Sequence, residues 1–187
     1  MINKFTLSRA QNVKFVRENL EQFIENNLIL SRYEQDDPFR ETACENLRTA
    51  YEFVLSNPDV ENDYKCLLTL HEMLMKGLND DIKSELTEEQ IEELHKMINQ
   101  PAKANLEAAI DVFLYIIEKR LFADGDVRAA LLFANKLMID NGCGFITIAP
   151  ANKDTFREKL AEYKNNNDHE IKDWIYKYCI KGPKLDY

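Results

Sequence analysis

The sequence predicts an all-α, single-domain helical bundle with little or no β structure. Three observations carry that expectation. The chain has 187 residues and only 5 glycines, where a share of about 7% is usual. Few turns with positive φ are therefore available, and sandwiches, barrels and doubly wound sheets need many. The five prolines, Pro38, Pro58, Pro101, Pro150 and Pro183, are widely spaced, as breaks between long helices would be. Apolar residues recur at helical spacing between those breaks. A chain of this length forms one domain with a full core. Residues 1–30 are expected to form an N-terminal helix packed on a helical core of residues 31–187.

The elements follow in order. Ser8 and Gln11 form a capping box, which opens a helix by satisfying two orphan N–H groups. Val13, Val16, Leu20, Phe23, Ile24 and Leu28 continue it. Polar residues 31–37 interrupt, and Pro38 stands where a first helical residue tolerates proline. The second helix turns Ala43, Leu47, Ala50, Tyr51 and Val54 inward and stops at Asn57-Pro58. A third starts near residue 62, buries Leu67, His71, Leu74 and Met75, and ends at Gly77 as a C′ residue. Thr87 and Gln90 form another capping box, for a helix with Ile91, Leu94 and Ile98 inside. A fifth helix is expected over about 102–118. Val127 to Met138 is apolar on nearly every side and reads as a buried central helix ending at Asn141-Gly142. Phe145 to Ala149 is a short extended piece, and helices follow at about 152–163 and 168–180.

Composition narrows the function classes. Net charge is −9, so the basic footprint of nucleic-acid binding is missing. No apolar run reaches 18 residues and no apolar signal core opens the chain; a cytoplasmic protein away from membranes is expected. Cys44, Cys66, Cys143 and Cys179 contain no C-x-x-C pair, and His71, His95 and His169 are dispersed. That spacing points away from disulfides and structural zinc. Trp174, Tyr176, Tyr178 and Tyr187 are the candidates for an aromatic partner-contact patch.

One segment stands apart: Arg120-Leu-Phe-Ala-Asp-Gly-Asp-Val-Arg-Ala-Ala-Leu131. A glycine between two aspartates leads straight into the buried helix. Backbone N–H groups at a helix start attract anions, and glycine permits close approach. Arg128 is placed to add a charged hydrogen bond to a phosphate, and Asp124 to hold Mg²⁺ against it. The plain alternative is a tight turn with Asp126 as helix N-cap. An EF-hand is excluded, because its first and last ligands would be Arg120 and Leu131.

The segment resembles the Fic/Doc motif H-x-F-x-[D/E]-G-N-G-R-x-x-R, matching it at Phe122, Asp124, Gly125 and Arg128. Leu70-His71-Glu-Met-Leu74-Met75 is similar to a sequence often found upstream in that family. The preceding amphipathic helix, the buried helix, the extended piece and the two final helices look like the family core over roughly residues 30–180. The resemblance implies a Fic-like fold. It also implies transfer of AMP, or another phosphate-containing group, from a nucleotide such as ATP to a protein hydroxyl. In that scheme Asp124 binds Mg²⁺, and Phe122, Asp124, Gly125, Asp126 and Arg128 make up the phosphate-binding segment.

The chain departs from the motif where chemistry is done. Arg120 stands in the histidine's place and cannot serve as a general base. Asp126 replaces the asparagine, Val127 the second loop glycine and Leu131 the second arginine. The family also carries an inhibitory [S/T]-x-x-x-E-[G/N] helix; Glu34 is the candidate for its glutamate, with Glu45 as a second. The expected function is that of a degenerate Fic-like protein, a pseudoenzyme that binds a protein partner or a phosphate-containing ligand. The alternatives are an active transferase with an altered motif and a helical interaction module with no ligand.

Overall fold

The computed structural model describes residues 1–33, 35–79, 85–166 and 170–184. Its elements are α1 (Arg9–Leu30), α2 (Arg40–Ser56), α3 (Tyr64–Met75), α4 (Glu88–Ile98), α5 (Asn105–Lys119), α6 (Asp126–Asp140), β1 (Phe145–Ile146), α7 (Lys153–Asn166), α8 (Glu170–Tyr178) and β2 (Ile180–Lys181). Among the described residues the protein is all-α apart from one short antiparallel pair, in which Phe145 faces Lys181 and Ile146 faces Ile180.

α6 is the axis of the bundle. Every residue from Arg128 to Ile139 is buried, because α1, α2, α3 and α5 pack around it. The sequence allows this by placing Ala129, Ala130 and Ala134 where neighbouring helices come close. α1 adds Val16, Leu20, Phe23, Ile24 and Leu28 to the same hydrophobic core.

Polar residues inside this core each have a task. Lys136 is fully buried, and its ammonium donates to Val60 O at 2.7 Å, Asn62 Oδ1 at 3.0 Å and Asp140 Oδ2 at 2.7 Å. Full satisfaction of this kind is what permits a buried charge. The Asn135 side chain donates to Ile146 O at 2.9 Å and accepts from Ile146 N–H at 2.6 Å, so an amide of α6 stands in for a strand partner of β1. Asn12 on α1 donates to Met138 O and Gly144 O.

Both capping boxes form, at Ser8/Gln11 and Thr87/Gln90, and Gly77 follows the α3 C-cap with φ +68°. Several boundaries differ. α2 begins at Arg40 rather than Pro38, because Asp37 accepts from Phe39 N–H and Arg40 N–H and holds the proline in a preceding turn. Asp126 is the first helical residue rather than the N-cap. That place belongs to Gly125, and the Asp126 carboxylate reaches back to the Phe122 N–H instead. α8 stops at Tyr178 because Ile180 and Lys181 pair with β1. Ile91 and Ile98 are only half-buried. Among the described residues no helix is long and apolar enough to cross a membrane.

Candidate functional site

The motif segment joins α5 to α6. Arg120 closes α5 in the left-handed region, with φ +49°, and the chain then turns back over α3. Phe122 is buried and lies flat on the His71 ring, with centroids 3.8 Å apart and planes 9° from parallel. His71, itself fully buried, donates from Nε2 to the Asp124 carbonyl at 2.8 Å. Burial pushes its pKa below the ordinary 6.5, which keeps the ring neutral. A stacked plug and one hydrogen bond thus fix the loop from below.

Gly125 makes the final turn with φ +79°. A Cβ there would lie 2.7 Å from the Met75 sulfur and 3.3 Å from His71 Nε2, so the site needs glycine for both conformation and space. Two loop amides are already occupied by side chains: Gly125 N–H donates to Asp124 Oδ1 at 2.6 Å, and Phe122 N–H to Asp126 Oδ1 at 2.9 Å.

Arg128 sits in the first turn of α6 and is 2% exposed. Its guanidinium carbon stands 4.7 Å from the centre of the Tyr33 ring, and Nη2 lies 3.1 Å from the Met75 sulfur. Among the described residues its buried Nε has no hydrogen-bond partner. An orphaned buried guanidinium N–H is costly, and Arg128 is one of the residues that line a cavity of about 360 Å³.

That cavity is bounded by the loop, by Leu30–Arg32 at the end of α1 and by Phe156, Arg157, Leu160 and Lys164 of α7. Five cationic side chains line it, Arg32, Arg120, Arg128, Arg157 and Lys164, against two carboxylates, Asp124 and Asp126. Among the described residues none of the five cations is in an ion pair. Burial raises the Asp126 carboxyl from the ordinary 3.8 to about 6, although the Phe122 N–H and the charges of Arg120 and Lys164 pull it down. Burial lowers the Lys164 ammonium, and Arg120 adds to that. A positive cleft in a chain of net charge −9 is a local feature, not an overflow of global charge.

The sequence-based candidates distribute unevenly. Arg120, Asp124, Gly125, Asp126 and Arg128 all border the cleft, whereas Phe122 lies beneath it. Leu131, at the second arginine's position, is buried in the core. Glu45 is paired with Arg48 at 2.7 Å on α2 and does not border the cleft. Glu34 and Tyr187 lie outside the described residues. Tyr178 is 47% exposed, beside the ring of Trp174. Reading the motif missed Arg32, Arg157 and Lys164, which come from α1's end and α7; only their helical spacing on α7 was available as a signal. Two further cavities lie around Glu61–Asp63 and His95, and one of them reaches Leu137 near the opposite end of α6.

Among solved structures, the chain is similar to Fic-1 (residues 134–508) from C. elegans, with a TM-score of 0.72 over 87% of this chain. The fold is Fic-like. Sequence identity is 12%, and the match spans 60% of the C. elegans chain. No family model and no curated protein sequence matches.

Proposed function

We propose that this protein binds a phosphate-containing ligand, of which ATP is the test case, in the cleft over Gly125, and transfers its phosphate groups poorly or not at all. The observation that supports the reading is Arg128: buried, without a partner at Nε among the described residues, and set at the N-terminus of α6 in a cleft where five cations face two carboxylates. Helix-start amides and a guanidinium suit phosphate oxygens.

Magnesium accords with the residues in a minimal way. Among the described residues no group of three acidic, histidine or cysteine side chains gathers, but Mg²⁺ is commonly held by one carboxylate together with substrate phosphates. Asp124 would supply that carboxylate. When bound, the ion would supply positive charge to offset that of the phosphates.

Impairment follows from proton transfer. Arg120 borders the cleft, and a guanidinium has no acceptor to offer a hydroxyl proton. His71 is buried beneath the loop with Nε2 engaged by the Asp124 carbonyl, so it does not offer a free base to a hydroxyl in the cleft. Loss of such a group lowers rates about 10²–10⁴-fold. The Phe122 and Gly125 amides, already bound by carboxylates, further weaken the loop as a phosphate cradle.

Titration calorimetry with ATP and Mg²⁺ tests the binding. The wild-type chain is expected to bind, and Arg128→Gln to weaken binding by about tenfold or more, the worth of one charge-assisted hydrogen bond. Absence of wild-type binding would remove the reading. One placement favours active transfer instead: the Asp126 carboxyl borders the cleft, where a proton acceptor for a hydroxyl would have to stand. Intact-mass measurement after incubation with ATP, Mg²⁺ and a protein acceptor decides between the two. Mass added by the wild type but not by Asp126→Asn would favour the transferase.

A further inference from the structure

We infer that α7 provides a second cationic wall, Arg157 and Lys164, which with Arg120 makes the cleft prefer a chain of phosphates to a single one. The inference rests on the phosphate reading of the cleft and adds the class of ligand.

The argument begins with the helix. Arg157, Leu160 and Lys164 stand at i, i+3 and i+7, so they form one stripe along α7. Phe156, 1% exposed, stacks near Phe113 of α5 with ring centroids 5.8 Å apart. That anchor holds α7 against the core and presents the stripe to the cleft, which all three residues line. Seven residues of helix separate the two cations by about 10 Å along the axis. One phosphate held at Arg128 does not extend along such a wall, whereas a linear oligophosphate does.

Charge supports the same assignment. Burial first, and the neighbouring charge of Arg120 second, disfavour the Lys164 ammonium, while Asp126 and Glu118 favour it. Like charges left together without an ion pair are stabilised when a polyanion joins them. The wall also lies outside the motif: where the motif calls for a second arginine the chain has Leu131, turned into the core, so added positive charge has to come from another element.

The test uses the full-length chain in EDTA, titrated by calorimetry with inorganic phosphate, inorganic triphosphate and ATP. Triphosphate and ATP share the phosphate chain, and titrating both separates an inorganic from a nucleotide source. Wild type is expected to bind both more tightly than phosphate. The double variant Arg157→Gln/Lys164→Gln should lose about tenfold or more for each, while phosphate affinity moves by less than about twofold. The single variant Lys164→Gln, at an exposed position, should lose part of the same preference and guards against a folding defect in the double variant. Equal triphosphate affinity in wild type and variants, or an equal fall for phosphate and triphosphate, overturns the assignment of α7 alone. A wild-type chain that binds none of the three overturns this inference together with the reading of the cleft.

Discussion

A methyl group on Gly125 would collide with the Met75 sulfur and force a side chain into a φ of +79°. Gly125→Ala is therefore expected to destabilise the fold by about 1–3 kcal/mol and to displace the loop from Arg128. Chemical denaturation reads the first effect and ATP titration the second. Asp126 gives a pH signature. Its native carboxyl titrates near 6 against an ordinary 3.8, so the folded state holds more protons between about pH 4 and 6. Its contribution to stability accordingly rises as pH falls through that window. His71 acts with the opposite sign, since burial lowers its pKa and acid costs it stability. The difference between wild type and Asp126→Asn isolates Asp126. Relative to the variant, wild-type Tm should increase as pH drops from 7 to 5, and anion affinity should increase with it as negative charge leaves the cleft. A flat difference would exclude that role. The motif drew attention to Arg120, Asp124, Gly125 and Arg128 as one segment, and all four border the same cleft. The burial of Phe122 against His71 was not, because the two are 51 positions apart and only the fold stacks them.

At the scale of elements, α6 organises both the site and the core. Its first turn carries Arg128, and about two helical turns later Asn135 completes the backbone bonding of Ile146 in β1. Asn135→Ala would leave the Ile146 N–H and C=O without their buried partner. A loss of about 2–4 kcal/mol in denaturant unfolding is expected; a loss below about 0.5 kcal/mol would show that water replaces the amide. The helices were readable where local chemistry decides them. Ser8 with Gln11 and Thr87 with Gln90 set N-termini by their own hydrogen bonds. β2 was not readable: two residues carry no period, and Ile180 and Lys181 become a strand only because β1 lies alongside. The start of α2 moved for a similar reason, since the Asp37 turn outranks the tolerance of a helix for Pro38.

For the whole molecule, charge distribution matters more than total charge. An acidic chain of net −9 repels polyanions at a distance, yet it gathers five cations against two carboxylates in one cleft. Long-range repulsion is screened by salt sooner than close contacts inside a partly buried site. The fold class followed from the scarcity of glycine and the helical periodicity, and the Fic-like architecture agrees with it. The cleft's far wall was hidden from sequence reading because Arg157 and Lys164 lie about 30 positions beyond the motif. The claim that joins these scales is that phosphate groups enter the cleft and meet Arg128. Phosphorus NMR of ATP tests it most directly. Addition of the wild-type chain should broaden or shift the ATP phosphorus lines, and Arg128→Gln should leave them close to those of free ATP. Unchanged lines with wild type, or equal changes with both proteins, would contradict the account.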